Sequence, residues 1–282
     1  WFVDGNNGSA QHDGRSWRTP KLTMADVFDE LASGDVVYFH GNIAEQLDSP
    51  AGVFDVSIIG AGNRPRHPDL HTVNGGYSAA RWKLPSSPTA ATPCLRIRQQ
   101  GWRLANFLMT ADTSQECVQL FRDGGADSAE RDASHFEAIG MRFDGAGVGI
   151  MVKGGPNFVN VRNCFFRGMT TGIANTTGAG IGTNAYFDIN NNRFTENTNH
   201  VVVPMNMCDV HRNIFGKFTT LGLSLSGGTG SNQVVGNYMS GDYDAGYVAA
   251  TLDNWIGNIA FDVASGETEA DAQALDAISP TL

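Results

Sequence analysis

Long apolar runs are missing from this 282-residue chain; stretches such as Val201-Val202-Val203 are far too short to cross a bilayer. No membrane insertion is expected. The first residues show neither the basic start nor the apolar stretch of a secretory signal, so none is expected within the chain. Lysine is scarce, four against fifteen arginines, and neither residue occurs after Lys217. Asp242, Asp244, Asp253, Asp262, Glu267, Glu269, Asp271 and Asp276 all lie in that last stretch, which repels polyanions. With a net charge of −10, nucleic acid is excluded as a partner. Cysteine is thin as well. Cys94, Cys117, Cys164 and Cys208 lie far apart with no CxxC pair, which argues against a zinc site and a disulfide-dense scaffold. They read as buried, reduced thiols, with one long-range disulfide as the alternative.

What the chain does have is glycine, asparagine and a repeat. Hydrophobic residues at 41% exclude a disordered chain, and 34 Gly and 22 Asn mark one rich in turns. Sixteen of the Asn fall between 157 and 258. There a phrase recurs: Met141-Arg142-Phe143, Asn163-Cys164-Phe165, Asn192-Arg193-Phe194, Asn213-Ile214-Phe215, Asn237-Tyr238-Met239 and Asn258-Ile259-Ala260. Its anchors step by 22, 29, 21, 24 and 21 residues. Between anchors, Phe158-Val159-Asn160-Val161 and Tyr186-Phe187-Asp188-Ile189 alternate with period two, and clusters such as Thr176 to Gly180 read as turns. Strands recurring near that step without helices demand a parallel β-helix, one coil per repeat. Asn163, Asn192, Asn213, Asn237 and Asn258 are the candidate structural ladder, each amide stacked on the next. A polar ligand track is the competing reading.

The first third differs. Thr23 is placed to cap a short helix, Met24 to Leu31, that ends at Gly34 and plugs the open end of the solenoid. Strands are expected at Val36–Phe39 and Val56–Gly60. The division is 1–60 for cap and first coils, 61–93 for a loop-rich insertion, 94–264 for the coils, and 265–282 for an acidic tail or distal cap.

The phrase Val3-Asp4-Gly5-Asn6-Asn7-Gly8-Ser9, followed by Asp13-Gly14-Arg15-Ser16-Trp17 and Gly34-Asp35-Val36-Val37-Tyr38-Phe39, resembles the start of pectin-lyase-like β-helix proteins. Phe158-Val159-Asn160-Val161-Arg162-Asn163 through Gly172-Ile173 is similar to their coil repeat. The resemblance covers residues 1–60 and 136–262, although Ala10 stands where an Asp is usual. It implies an all-β fold: a right-handed, single-stranded parallel β-helix with a short N-terminal capping helix. Activity does not follow from it, because lyases, glycosidases, adhesins and phage spikes share the scaffold.

Catalytic signals are sparse. The Asn-Thr-Asp, Asp-Asp, Gly-His-Gly and Arg-Ile-Lys strings of polygalacturonases do not occur. The coil region's acids are Asp188, Glu196, Asp209, Asp242, Asp244 and Asp253, and only Asp242-Tyr243-Asp244 brings two together, with Tyr247 close behind. Asp242, Tyr243, Asp244 and Tyr247 are therefore the candidate sugar or cation contact, against a solvated turn. His135, His200 and His211 read as scaffold. Arg162 and Arg212 each precede a ladder Asn and are read as equivalent outward positions. Trp102, Trp255, Tyr243 and Tyr247 suit sugar stacking if exposed, and core filling if not. No catalytic residue, metal site or cofactor is expected.

These readings favour a structural or receptor-binding β-helix of a phage virion, such as a tail spike, fibre or capsid-surface component. It is expected to act as a homotrimer with other virion proteins and a possible polysaccharide ligand. The alternatives are a polysaccharide lyase or glycoside hydrolase acting on a bacterial surface glycan, and an extracellular adhesin of the bacterial surface.

Overall fold

The computed structural model describes residues 1–62, 80–122, 132–176, 184–241, 246–250 and 252–263. Every strand ladder among them is parallel. Eighteen strands form one sheet that bends at a corner into two faces, the first and second sheets. Strand Val36–Ala44 runs through both: Val36–Phe39 pairs with Ser57–Gly60, and Gly41–Ala44 pairs with Ala80–Lys83. Eight further strands make a third sheet, and Asn184–Ala185 with Met205–Asn206 a short fourth. One coil runs from Asp188–Asn190 to Arg193–Thr195 to Asn197–Val202, then passes to the next at Asp209–His211. This is the expected parallel β-helix. Ala80–Lys83 is one of its rungs, so the coil begins again well before residue 94.

Alternation sets the core. Val161, Ile189, Val210, Val234 and Trp255 point inward from the first sheet, one above another. The second sheet contributes Phe143, Phe166, Phe194 and Phe215, whose rings stack with centroids 4.7, 4.7 and 5.3 Å apart. Residues one coil apart are direct neighbours, so burying one position means burying the whole column.

The helix is shorter than the sequence suggests. α1 is Ala25–Phe28, and Met24, which precedes it, makes no side-chain cap. Thr23 still acts nearby: its Oγ accepts the Asp26 N–H at 3.1 Å, and its own N–H and hydroxyl donate to the Asp26 carboxylate. Glu45 takes the N–H groups of Met24 and Ala25 at 3.1 and 2.8 Å, partners that α1's first turn would otherwise lack. Burial pushes the Glu45 carboxyl up despite these bonds. Phe28 enters the core edge-on to Trp82 and Trp102, at 6.3 and 5.8 Å. α1 therefore seats its apolar face on the first coils.

The turn between the first and second sheets holds the amide ladder. Asn192 donates from Nδ2 to Asn213 Oδ1 at 3.1 Å, Asn213 to Asn237 at 3.0 Å, and Asn237 to Asn258 at 3.0 Å. Each Oδ1 also accepts the backbone N–H of the residue one coil before. Asn163 is not in this column. It is exposed, holds φ +55°, and accepts from the Asn191 side chain at 3.0 Å; Cys164 takes the buried ladder position instead. Two adjacent phenylalanines explain the slip: Phe166 is the core ring and Phe165 faces outward, so the true anchors are Met141, Cys164 and Asn192.

All four cysteines are free and buried. Burial pushes the Cys94 and Cys164 thiols up to about 12 and Cys208 to about 11, and raises Cys117 well above its ordinary value. They pack as small apolar groups, unreactive while folded.

Candidate functional site

The outward face of the first sheet carries a polar column. Strand register sets Glu137, Asn160, Asp188, Asp209, Gln233 and Asn254 side by side, each on the next coil. A second column places Arg162, Asn190, His211 and Val235 beside one another. At the upper end, Glu137 lies between Arg103 and Arg162, at 3.2 and 2.6 Å, and these charges satisfy one another.

Lower down, charge is left over. Asp188 Oδ1 accepts from Asn190 Nδ2 at 2.8 Å and lies 3.1 Å from His211 Nε2. The carboxylate of Asp209, its direct cross-strand neighbour, has no hydrogen bond or ion pair among the described residues; its N–H goes to Phe187 O at 2.8 Å. Arg212 follows at the corner, φ +56°, held by its N–H to Val235 O at 3.2 Å, and its guanidinium is equally uncommitted. An open cleft of about 330 Å³ lies between them, lined by Asp209, His211, Arg212, Gln233, Val235 and Gly236. A carboxylate and a guanidinium lining one space with the Gln233 amide suit hydroxyl and carboxylate groups of a ligand. A carboxylate-oriented histidine beside a second carboxylate is also a general acid–base arrangement. Among the described residues no three His, Cys, Asp or Glu side chains converge to hold a metal ion.

Several sequence candidates lie elsewhere. Asp242, Tyr243 and Asp244 fall outside the described residues. Tyr247 is buried, and its hydroxyl donates to Ser240 O at 2.8 Å, so it offers no face to a sugar. Trp102 and Trp255 are wholly buried: Trp255 points inward from the first sheet, and Trp102, just before the strand Arg103–Ala105, gives its indole N–H to Val53 O at 3.0 Å. Arg162 and Arg212 are not equivalent, since Arg162 shares a column with His211 while Arg212 takes the corner position of Asn163 and Asn191. His200 is buried: Asn197 Nδ2 donates to its Nδ1 at 2.9 Å, and its Nε2–H donates to Gly216 O at 2.8 Å.

His135 belongs to an unforeseen exposed seam. His135, Phe158 and Tyr186 stack at 4.8 Å with planes 7° apart, and Met207 continues the corner. Their φ values run from +50° to +60°, a left-handed backbone costing roughly 1–2 kcal/mol per residue, which stacking offsets in part. Both faces of Phe158 and the inner faces of His135 and Tyr186 are spent on this stack. The seam locks a corner.

No family model matches the chain, and no curated protein sequence does. Solved structures give distant likenesses. An alginate lyase from Paenibacillus sp. str. FPU-7 is 13% identical, covering 84% of this chain and 93% of that one, with a TM-score of 0.47. A rhamnogalacturonan lyase is 14% identical over 92% of this chain and 72% of its own, at 0.48. The Dettilon tailspike protein is 15% identical over 94% and 68%, at 0.40. The fold itself stands on the parallel strand register, and in that register the chain is a parallel β-helix.

Proposed function

We propose that this chain is a glycan-recognising β-helix, the receptor-binding part of a phage virion, and that the cleft at Asp209, His211 and Arg212 receives the glycan. The observation that carries the reading is the pair of uncommitted charges, Asp209 and Arg212, facing one cleft on a rigid sheet. Polar side chains repeat along that face at the coil spacing, about 4.8 Å, so a linear polymer lying along the axis meets a new set at every step. The virion assignment extends the resemblance of the first loop and coil repeat, and the working unit is proposed to be a side-by-side trimer with other virion proteins. Binding of the native oligomer to a panel of bacterial surface polysaccharides is the test. Arg212→Ala is expected to weaken the best ligand at least tenfold; an unchanged affinity, or no ligand across the panel, would sink the reading.

A second reading has its own observation. His211 bonded to Asp188, with Asp209 beside it, is equipped to move a proton during glycan cleavage. New reducing ends or unsaturated uronates would then form on incubation, and Asp209→Asn would stop them. Binding without product retains recognition alone.

A further inference from the structure

The outward face of the third sheet carries one linked chain of charged and amide side chains. Strand register sets Asp48 beside Arg96, and Arg96 beside Gln119, on successive coils. The next strand, Val148–Lys153, places Met151 opposite Gln119 and Lys153 opposite Phe121, two residues further along. Asp48 takes Nη1 of Arg96 with both carboxylate oxygens at 3.2 Å, which fixes the guanidinium. Nε of Arg96 donates to Gln119 Oε1 at 2.6 Å. Gln119 Nε2 donates to Glu116 Oε2 at 3.2 Å, and Lys153 Nζ donates to the other oxygen of Glu116 at 3.2 Å.

Burial and geometry separate this chain from a surface ion pair. Gln119 is 2% exposed, although it alternates with the inward residues Val118 and Leu120. The Glu116 side chain, 11% exposed, is the most buried carboxylate in any ion pair among the described residues. That one carboxylate bridges an amine and an amide, while a guanidinium lies on the amide's carbonyl oxygen. Acyl transfer to an amine needs these same parts: a nucleophile, a group that carries its proton to the leaving nitrogen, and a cation where the oxygen gains charge. From the strand spacing and rise, the Cα atoms of Gln119 and Lys153 stand about 8 Å apart, within the joint reach of the two side chains.

We propose that Lys153 and Gln119 are a self-modification site, joined by an isopeptide bond between adjacent coils with Glu116 as the proton carrier. The Lys153 ammonium gives one proton to Glu116, and its nitrogen attacks Gln119 Cδ. Arg96 holds the negative charge that develops on Oε1. Glu116 passes its proton to Nε2 as the Cδ–Nε2 bond breaks. Ammonia departs and takes the surplus proton from Nζ, so one ammonium ion is released and no other reactant is consumed. The product is a neutral amide that ties strand Glu116–Phe121 to strand Val148–Lys153. The site is independent of the first-sheet cleft, which lies on another face.

The test is the intact mass of the purified, folded chain, followed by peptide mapping. The unaltered protein is expected to weigh one ammonia less than its sequence. Trypsin should fail to cut after Lys153, and Lys153 and Gln119 should appear in one branched peptide. On a denaturing gel the linked chain should run ahead of K153R, which keeps the cation and has the full sequence mass. E116A is expected to leave the amine and the amide unjoined. Full sequence mass in the unaltered protein overturns the proposal, as does recovery of Lys153 and Gln119 in separate linear peptides. Loss of water instead of ammonia would join Lys153 to Glu116 and overturn the choice of Gln119. Equal linkage in E116A overturns the part given to Glu116. Should either variant fail to fold, the mass and peptide map of the unaltered chain decide the question alone.

Discussion

The turn between the first and second sheets is closed by different chemistry along its length. In the early coils the buried corner position is apolar, Phe107 and then Met141; from Asn192 to Asn258 it is an amide in every coil. Cys164 stands between them, its N–H given to Asn192 Oδ1 at 2.8 Å and its thiol turned toward the carbonyls of Ala138 and Arg162. The same change occurs elsewhere. Across the first sheet, at its opposite edge, Phe187 is followed by Cys208, Asn232 and Asp253, with Cys208 N–H on Asn232 Oδ1 at 3.0 Å and Asn232 Nδ2 on Asp253 Oδ1 at 2.7 Å. Apolar corners hold by buried area and tolerate exchange of similar volumes. Amide corners hold by bonds that fail together, because every amide serves the coil before it and leans on the one after.

Breaking the amide side in its middle should cost most. Asn213→Leu removes the acceptor for the Asn192 N–H and side chain, and takes the side-chain donor from the Ile189 carbonyl and from Asn237 Oδ1, which keeps only the backbone N–H of residue 213. Several buried polar groups losing partners sum to a destabilisation on the order of 4 kcal/mol. Met141→Leu, at the apolar end of the same column, should cost less than about 1.5 kcal/mol. Urea unfolding of both variants measures the contrast, and equal losses would erase the distinction between the two halves.

Acid tests the next amide corner. Asn197 Oδ1 accepts the Met169 N–H at 2.9 Å while its Nδ2 serves Phe166 O and His200. Burial lowers the His200 pKa to about 4, from an ordinary value of 6.5. Between those values the unfolded chain binds a proton that the folded chain refuses. Stability from the neutral ring is therefore full above pH 6.5, falls as pH drops through the window, and is constant below about 4. The loss is about 3 kcal/mol. His200→Gln should lack that component, so the two proteins' unfolding free energies converge at low pH; parallel pH curves would refute it.

The fold was legible in the sequence because a coil repeats its corner. Asn192, Asn213, Asn237 and Asn258 sit at steps of 21, 24 and 21 residues, and all four form the ladder. Asn163 was misplaced by one residue because the longest step, from Cys164 to Asn192, coincides with the Phe165-Phe166 doublet. One residue in a strand reverses inside and outside, which also made Arg162 and Arg212 look equivalent. The cleft was hidden for a related reason. Asp242 and Asp244 drew attention as near neighbours in sequence, but neighbours in a solenoid lie one coil apart. Asp188, Asp209, Gln233 and Asn254 each precede a ladder Asn by four residues, so the column was present in the register once the ladder was fixed. The corner seam of His135, Phe158, Tyr186 and Met207 lies six residues before the same anchors. Nothing local marks it, because those side chains take a backbone conformation that propensity assigns to Gly and Asn.

The junction residue offers the smallest and most discriminating change. Cys164→Asn extends the ladder by one coil rather than breaking it. The thiol lies 3.4 Å from Ala138 O, and Asn192 Nδ2 reaches the corresponding carbonyl, Val161 O, at 2.7 Å one coil later. An amide at 164 would therefore donate from Nδ2 to Ala138 O and to Asn192 Oδ1, and receive the Met141 N–H, which now points at the thiol, at its own Oδ1. Its added polar atoms are satisfied, and stability should change by less than about 1 kcal/mol. Were the position held by apolar packing alone, as at Met141, the buried amide would go unpaired and cost roughly 1–3 kcal/mol. Chemical unfolding of Cys164→Asn beside Met141→Asn separates the two: a tolerated change at 164 with a large loss at 141 places the boundary between the two corner chemistries at Cys164.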